Sequence, residues 1–161
     1  MGGPALRSTK LFAFDVDGVL TDGTLEYGPQ GACQRFNARD GAGIMSLIRS
    51  GTPVALISFR DLESTRRRAR DIGIRHLFLG CRDKRSALES LCTHLGIEPS
   101  EALFMGDDGL DIPALELAGI SACPSDAHPS VRSVCRIVTT LPGGGGAVRE
   151  VIDMFMEGRL R

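Results

Sequence analysis

Short apolar runs alternate with helix-length amphipathic stretches along most of this chain, and nothing else in it restricts the fold as strongly. Apolar runs of strand length fall at 11–16 (LFAFDV), 53–58, 76–80, 102–106, 120–124 and 136–140. Between and after them lie helical patterns at 40–50, 62–73, 84–96, 112–119 and 147–158, three of them closed by Gly51, Gly73 and Gly96. Continuous apolar strands separated by helices imply a parallel sheet buried on both faces. The segments 24–28 and 32–37 flank Pro29-Gln30-Gly31 and predict a hairpin. The expectation is an α/β fold: a Rossmann-like parallel sheet with helices on both faces and a small β-hairpin flap over about 24–37. No insertion is long enough for a cap domain, so the chain, 1–161, reads as one domain. The run of four glycines at 143–146 predicts a flexible loop before the last helix.

Composition narrows the function classes. The formal net charge is −1 and charged residues make up 24%, which argues against a nucleic-acid or anionic-membrane partner. The one basic cluster, Arg66 to Arg70, sits in a helical pattern and reads as a solvated helix face. Five cysteines form no C-x-x-C pair and predict reduced thiols. With no apolar leader in MGGPALRSTK and no bilayer-length apolar stretch, the expectation is a cytoplasmic protein.

The first strand pattern runs straight into like charges: Asp15, Asp17 and Asp22. In a parallel sheet, ligands bind beyond the carboxyl ends of the strands. Asp15, Asp17, Ser58, Asp107 and Asp108 all fall at such ends, far apart in sequence but on one edge of the sheet. Neighbouring carboxylates repel, so such a cluster holds a proton or a cation, and hard oxygen ligands suit Mg²⁺. A carboxylate beside that ion can attack a phosphoryl group, and a second can serve as acid and then base. Ser58 offers a hydroxyl and Lys84 an ammonium to phosphoryl oxygens.

D-V-D-G-V-L-T-D (15–22), Ser58, Lys84 and G-D-D-G-L-D (106–111) resemble, in order, the four motifs of the haloacid dehalogenase superfamily of phosphatases. The resemblance implies Asp15 as nucleophile, Asp17 as acid/base, and Ser58 with Lys84 as the phosphoryl-binding pair. It implies Asp15, Asp17 through its carbonyl, and Asp107 as Mg²⁺ ligands, with Asp108 and Asp111 supporting the metal shell or orienting Lys84. F-N-A-R-D-G-A-G-I (36–44), D-A-H-P (126–129) and G-A-V-R-E-V (146–151) are similar to signatures of the 3-deoxy-D-manno-octulosonate 8-phosphate phosphatases, a capless branch. That branch implies a phosphorylated sugar acid as substrate and a homotetramer in which neighbours cover each site.

Two positions depart from the pattern. Phe59 stands where the second motif usually has glycine, and Gly145 where an arginine is frequent. Arg60 and Arg39 are candidates for the substrate's acidic part, each with a structural alternative: Arg60 paired with Asp61 or Glu63, and Arg39 with Asp40 joining the hairpin to the next helix. Nonulosonate 9-phosphates remain alternative substrates. A non-catalytic scaffold and a phosphoacceptor receiver domain are the competing classes. The receiver is disfavoured because the D-x-D pair sits on the first strand and supplies a general acid.

Overall fold

The computed structural model describes residues 9–158; residues 1–8 and 159–161 lie outside the described residues. Six parallel strands form one sheet in the order β5-β4-β1-β6-β7-β8. They are β1 (Leu11–Phe14), β4 (Val54–Ser58), β5 (His76–Leu79), β6 (Ala102–Met105), β7 (Ile120–Cys123) and β8 (Ile137–Val138). A separate antiparallel hairpin joins β2 (Glu26–Gly28) to β3 (Gly31–Cys33). The hairpin is shorter than its sequence pattern because it pairs with no other strand, so only its tip gains a ladder.

The helices are α1 (Ala38–Arg49), α2 (Glu63–Ile72), α3 (Lys84–Leu95), α4 (Ile112–Leu117), α5 (Pro129–Arg132) and α6 (Ala147–Met156). Alternation along β1 divides the core. Phe12 and Phe14 face one layer with Ile44 and Leu47 of α1, Ala69 and Ile72 of α2, and Val148 and Val151 of α6. Leu11 and Ala13 face the other with Leu88 and Leu91 of α3, Leu115 of α4 and Val131 of α5. All four β1 side chains are buried, as the period of two in a doubly covered sheet requires. Each large one contributes roughly 1.5–3 kcal/mol by leaving water.

Local chemistry fixes the helix ends. Asn37 caps α1 by accepting from the Arg39 and Asp40 N–H groups, which starts that helix two residues before the apolar pattern does. Asp83 caps α3 through the Ser86 N–H and hydroxyl. Gly73 and Gly96 close α2 and α3 in the left-handed conformation. The basic cluster lies on α2 as expected. Arg66 pairs with Asp61, Arg70 with Glu63, and Arg68 donates to the Asn37 carbonyl beside the Phe36 ring.

The tetraglycine segment is a correction. It is a packed turn, not a loose loop. The Gly143 N–H donates to Asp126 Oδ1 (2.9 Å), and the Gly144 N–H donates to the Val19 carbonyl (3.1 Å). A side chain at Gly143 would collide with the Gly18 carbonyl, and one at Gly144 with the Thr21–Asp22 backbone. Glycine serves close backbone approach here. α5 was not foreseen. Its single turn is nucleated by Pro129 at the first position and by the His128 ring, which accepts from the Ser130 N–H. No helix among the described residues is long and apolar enough to cross a membrane.

Candidate active site

The strand order places the ends of β1, β4 and β6 side by side. A hollow of about 250 Å³ opens there. Its floor is Asp15, Asp17, Gly18, Lys84, Asp107 and Asp111, and its rim includes Phe59, Arg60, Asp108 and Leu110. β1 ends at Phe14, but the Asp15 N–H still bonds the Met105 carbonyl of β6 (2.9 Å), so Asp15 is held in the sheet's frame. The chain then turns sharply, with Val19, Leu20 and Thr21 all donating to the Val16 carbonyl. At Gly18, φ is +81°, and any side chain would overlap the Asp107 carboxylate. That close approach brings the first and fourth motifs together.

Lys84 is the electrostatic centre. It opens α3 yet is only 3% exposed. Its Nζ lies 2.9 Å from Asp15 Oδ1 and 2.5 Å from Asp111 Oδ1. Burial works against its charge, but Asp15 and Asp111 outweigh it and hold the ammonium above its ordinary value. Burial, then the charge of Asp111, pushes the Asp15 carboxyl well up against the opposing pull of Lys84. Asp107 is pushed up to about 7, first by burial and then by Asp111. One buried cation does not neutralise three carboxylates.

Asp15, Asp107 and Asp111 each bring an oxygen within 4.8 Å of the others. This all-oxygen set, with the Asp15 and Asp107 carboxyls pushed up first by burial and then by the charge of Asp111, fits a hard divalent cation. Asp111 is already committed. Oδ1 receives Lys84, and Oδ2 accepts from the Asp107 and Asp108 N–H groups. Asp108 lies at the rim, where its Oδ1 accepts from the Gly109 N–H. Asp17 also stands outside the tight triad, its carboxylate taking the Gln34 amide (2.7 Å) and Arg60 Nε (3.3 Å).

Ser58 is buried at the end of β4, where its Oγ accepts from the Arg60 N–H (3.3 Å). Arg60 pairs with Asp17, not with Asp61 or Glu63. Arg39 is not in this hollow. It lines a second one, of about 680 Å³, with Arg149 and Glu150 of α6. Its neighbour Asp40 joins α1 to α6 by accepting the Arg149 N–H (2.9 Å). His128 and Asp126 hold loops. The His128 N–H donates to the Asp107 carbonyl, and Asp126 receives Gly143.

Gln34 was missed in the sequence. From β3's end it donates to Asp17 and accepts from the Ser64 and Thr65 hydroxyls of α2 (2.9 and 2.7 Å), so it fastens the flap to the site. Its sequence position, inside the segment 32–37 that reads as hairpin, carries no signal for it.

The profile of the haloacid dehalogenase-like hydrolases matches residues 77–152. The 3-deoxy-D-manno-octulosonate 8-phosphate phosphatase of Yersinia pestis is 40% identical over 148 residues, covering 91% of this chain and 79% of that protein. The chain belongs to this phosphatase family. It is a haloacid dehalogenase-like hydrolase, and its chemistry is phosphomonoester hydrolysis.

Solved structures of the family superpose closely. The cobalt-bound deoxy-D-mannose-octulosonate 8-phosphate phosphatase of Haemophilus influenzae gives a TM-score of 0.93 at 38% identity, over 97% of this chain and 92% of that one. The Moraxella catarrhalis phosphatase, solved with a magnesium ion, a phosphate ion and KDO, gives 0.92 at 38% identity, over 96% and 89%. The parallel six-stranded sheet, the helices and the small hairpin therefore agree with the fold expected from sequence.

Proposed function

We propose that this chain is a Mg²⁺-dependent phosphatase of a 2-keto-3-deoxy sugar acid phosphate, 3-deoxy-D-manno-octulosonate 8-phosphate, acting through an aspartyl-phosphate on Asp15. The observation that carries the reading is Lys84, buried and bridging Asp15 to Asp111 beside Asp107. Similarity to phosphatases named for that substrate supports the choice of sugar acid.

Lys84 and the Val16 N–H both hold Asp15 Oδ1, which fixes the carboxylate's orientation for attack. An Asp15 oxygen bonds to phosphorus as the ester oxygen leaves. Asp17, oriented by Gln34 and Arg60, gives its proton to that leaving oxygen. Asp17 then takes a proton from the water that attacks phosphorus. The Asp15–phosphorus bond breaks, and inorganic phosphate is released. Ser58 and Lys84 bind the phosphoryl oxygens, and Asp111 positions Lys84. Asp15, Asp107 and the Asp17 carbonyl would hold Mg²⁺, with Asp108 at the edge of that shell. When bound, the ion supplies positive charge to the crowded carboxylates and the phosphoryl oxygens. Arg60 stands at the mouth, toward the leaving group.

We assign a cytoplasmic homotetramer. The flap's Tyr27, 75% exposed, supports contact between copies, and light scattering tests it. The alternative substrate is a nonulosonate 9-phosphate, since Phe59 stands in the wall of the hollow where the motif usually has glycine. Phosphate release from both sugar acid phosphates, with Mg²⁺ and with chelator, decides. Chelator-sensitive preference for the octulosonate is expected. Preference for the nonulosonate moves the substrate, and no release from either with Mg²⁺ refutes the sugar acid reading.

A further inference from the structure

Two loops leave the carboxyl edge of the sheet together, one after β4 and one after β5. Ser58 of β4 pairs with Leu79 of β5, and the Cys81 N–H donates back to the Ser58 carbonyl (2.9 Å). That bond brings Phe59, on the wall of the hollow, beside Arg82. Phe59 lines the hollow, is 42% exposed, and has a partner on its ring face. The partner is Arg82, whose guanidinium carbon lies 5.4 Å from the ring centroid.

The cations that line the hollow already face carboxylates: Lys84 lies at the floor against Asp15 and Asp111, and Arg60 pairs with Asp17. Asp83, next to Arg82, is used to cap α3. Among the described residues Arg82 enters no ion pair; its recorded contact is the ring. A ring face orients a guanidinium without neutralising it. The edge donors stay free, in the fork that receives a carboxylate in two hydrogen bonds.

We propose that Phe59 and Arg82 form a specificity element, in which the ring of Phe59 sets Arg82 to receive an anionic group on the leaving-group side of the phosphomonoester. The phosphoryl group belongs at the floor with Asp15 and Lys84, so the alcohol part extends outward past Phe59. In the sugar acid reading, on which this inference rests, the anionic group is the carboxylate. Arg82 is then a binding residue and Phe59 its positioning residue.

The test is steady-state kinetics of the Mg²⁺-loaded enzyme on 3-deoxy-D-manno-octulosonate 8-phosphate and on p-nitrophenyl phosphate, which carries no second anion. Arg82→Ala is expected to raise KM for the sugar acid ester roughly tenfold or more, with kcat much less affected. Its loss of kcat/KM on the aryl ester should be at least several-fold smaller. Phe59→Leu keeps the apolar bulk but removes the ring face, and should produce a weaker loss of the same kind. Arg82→Lys should recover part of the affinity, since it restores charge but not the fork. Equal losses on both esters, or no loss with Arg82→Ala, would overturn the proposal while the wild-type preference for the sugar acid stands. Wild-type enzyme without that preference would overturn the sugar acid reading and this inference together.

Discussion

Asp40 offers a test of the physics outside the active site. It is 1% exposed on α1, with one oxygen accepting the Arg149 N–H in the first turn of α6. Its other oxygen, Oδ2, has no hydrogen-bond partner. Burial pushes its carboxyl from 3.8 up to about 6, against the pull of the Arg149 N–H and the charges of Arg68 and Arg149. The folded value lies above the unfolded one, so the folded state binds the extra proton between about pH 4 and 6. Stability contributed by this group is therefore complete below pH 4 and lost as pH rises through 6. At about 1.4 kcal/mol per pH unit, the ionised carboxylate costs the fold about 3 kcal/mol at pH 7.

Asp40→Asn removes the charge and keeps an acceptor for the Arg149 N–H. The new amide N–H group costs roughly 1 kcal/mol if it stays unpaired, which leaves a net gain of about 2 kcal/mol at pH 7.5. At pH 4 the wild-type side chain is itself neutral and the advantage should vanish. Urea unfolding of both proteins at the two pH values, at one protein concentration, measures this. Other carboxylates titrate equally in both proteins and cancel in the difference. A variant less stable than wild type by the same amount at both pH values would refute the reasoning. It would mean that Arg68 and Arg149 neutralise Asp40 fully.

Three further outcomes follow from the packing and the site. Asp15→Asn should abolish phosphate release while leaving the circular dichroism spectrum of a folded protein; retained turnover would remove Asp15 as nucleophile. Gly143→Ala should destabilise by about 2 kcal/mol or more in urea unfolding, because its methyl would meet the Gly18 carbonyl; an unchanged midpoint would show that the turn can move. Gln34→Ala should lower kcat through Asp17 more than it raises KM, and a pure KM effect would place Gln34 with the substrate instead.

The sheet was legible because each strand carries an unbroken apolar run and most helices end on glycine or begin on a capping residue. The motifs at strand ends were legible for the same reason: topology alone brings Asp15 and Asp107 to one edge. Contacts that depend on a missing side chain were not. Nothing in the run Gly143 to Gly146 distinguishes four glycines used for close packing from four used for slack. Asp111 was legible only through its motif: the resemblance offers it the metal shell or Lys84, and its carboxylate holds Lys84 and two backbone N–H groups. Arg39 carried two readings, the site and a tie between hairpin and helix. Its place beside a family signature suggested the site, but the turn into α1 carries it to another face.

The acidic cluster should be stabilised by a divalent cation. Three buried or half-buried carboxylates around one ammonium leave excess negative charge, which weakens the fold when no metal is present. Mg²⁺ at about a hundred times its dissociation constant should stabilise by about 2.7 kcal/mol. In a domain of this size that raises the unfolding midpoint by roughly 5–10 °C. Asp107→Asn separates the two effects. It removes one of the repelling charges, so the metal-free variant should melt above the metal-free wild type. It also removes a ligand, so added Mg²⁺ should raise its midpoint far less. A variant that melts lower without metal and still gains the full shift would mean that Asp107 is a structural hydrogen-bond acceptor and the ion sits elsewhere.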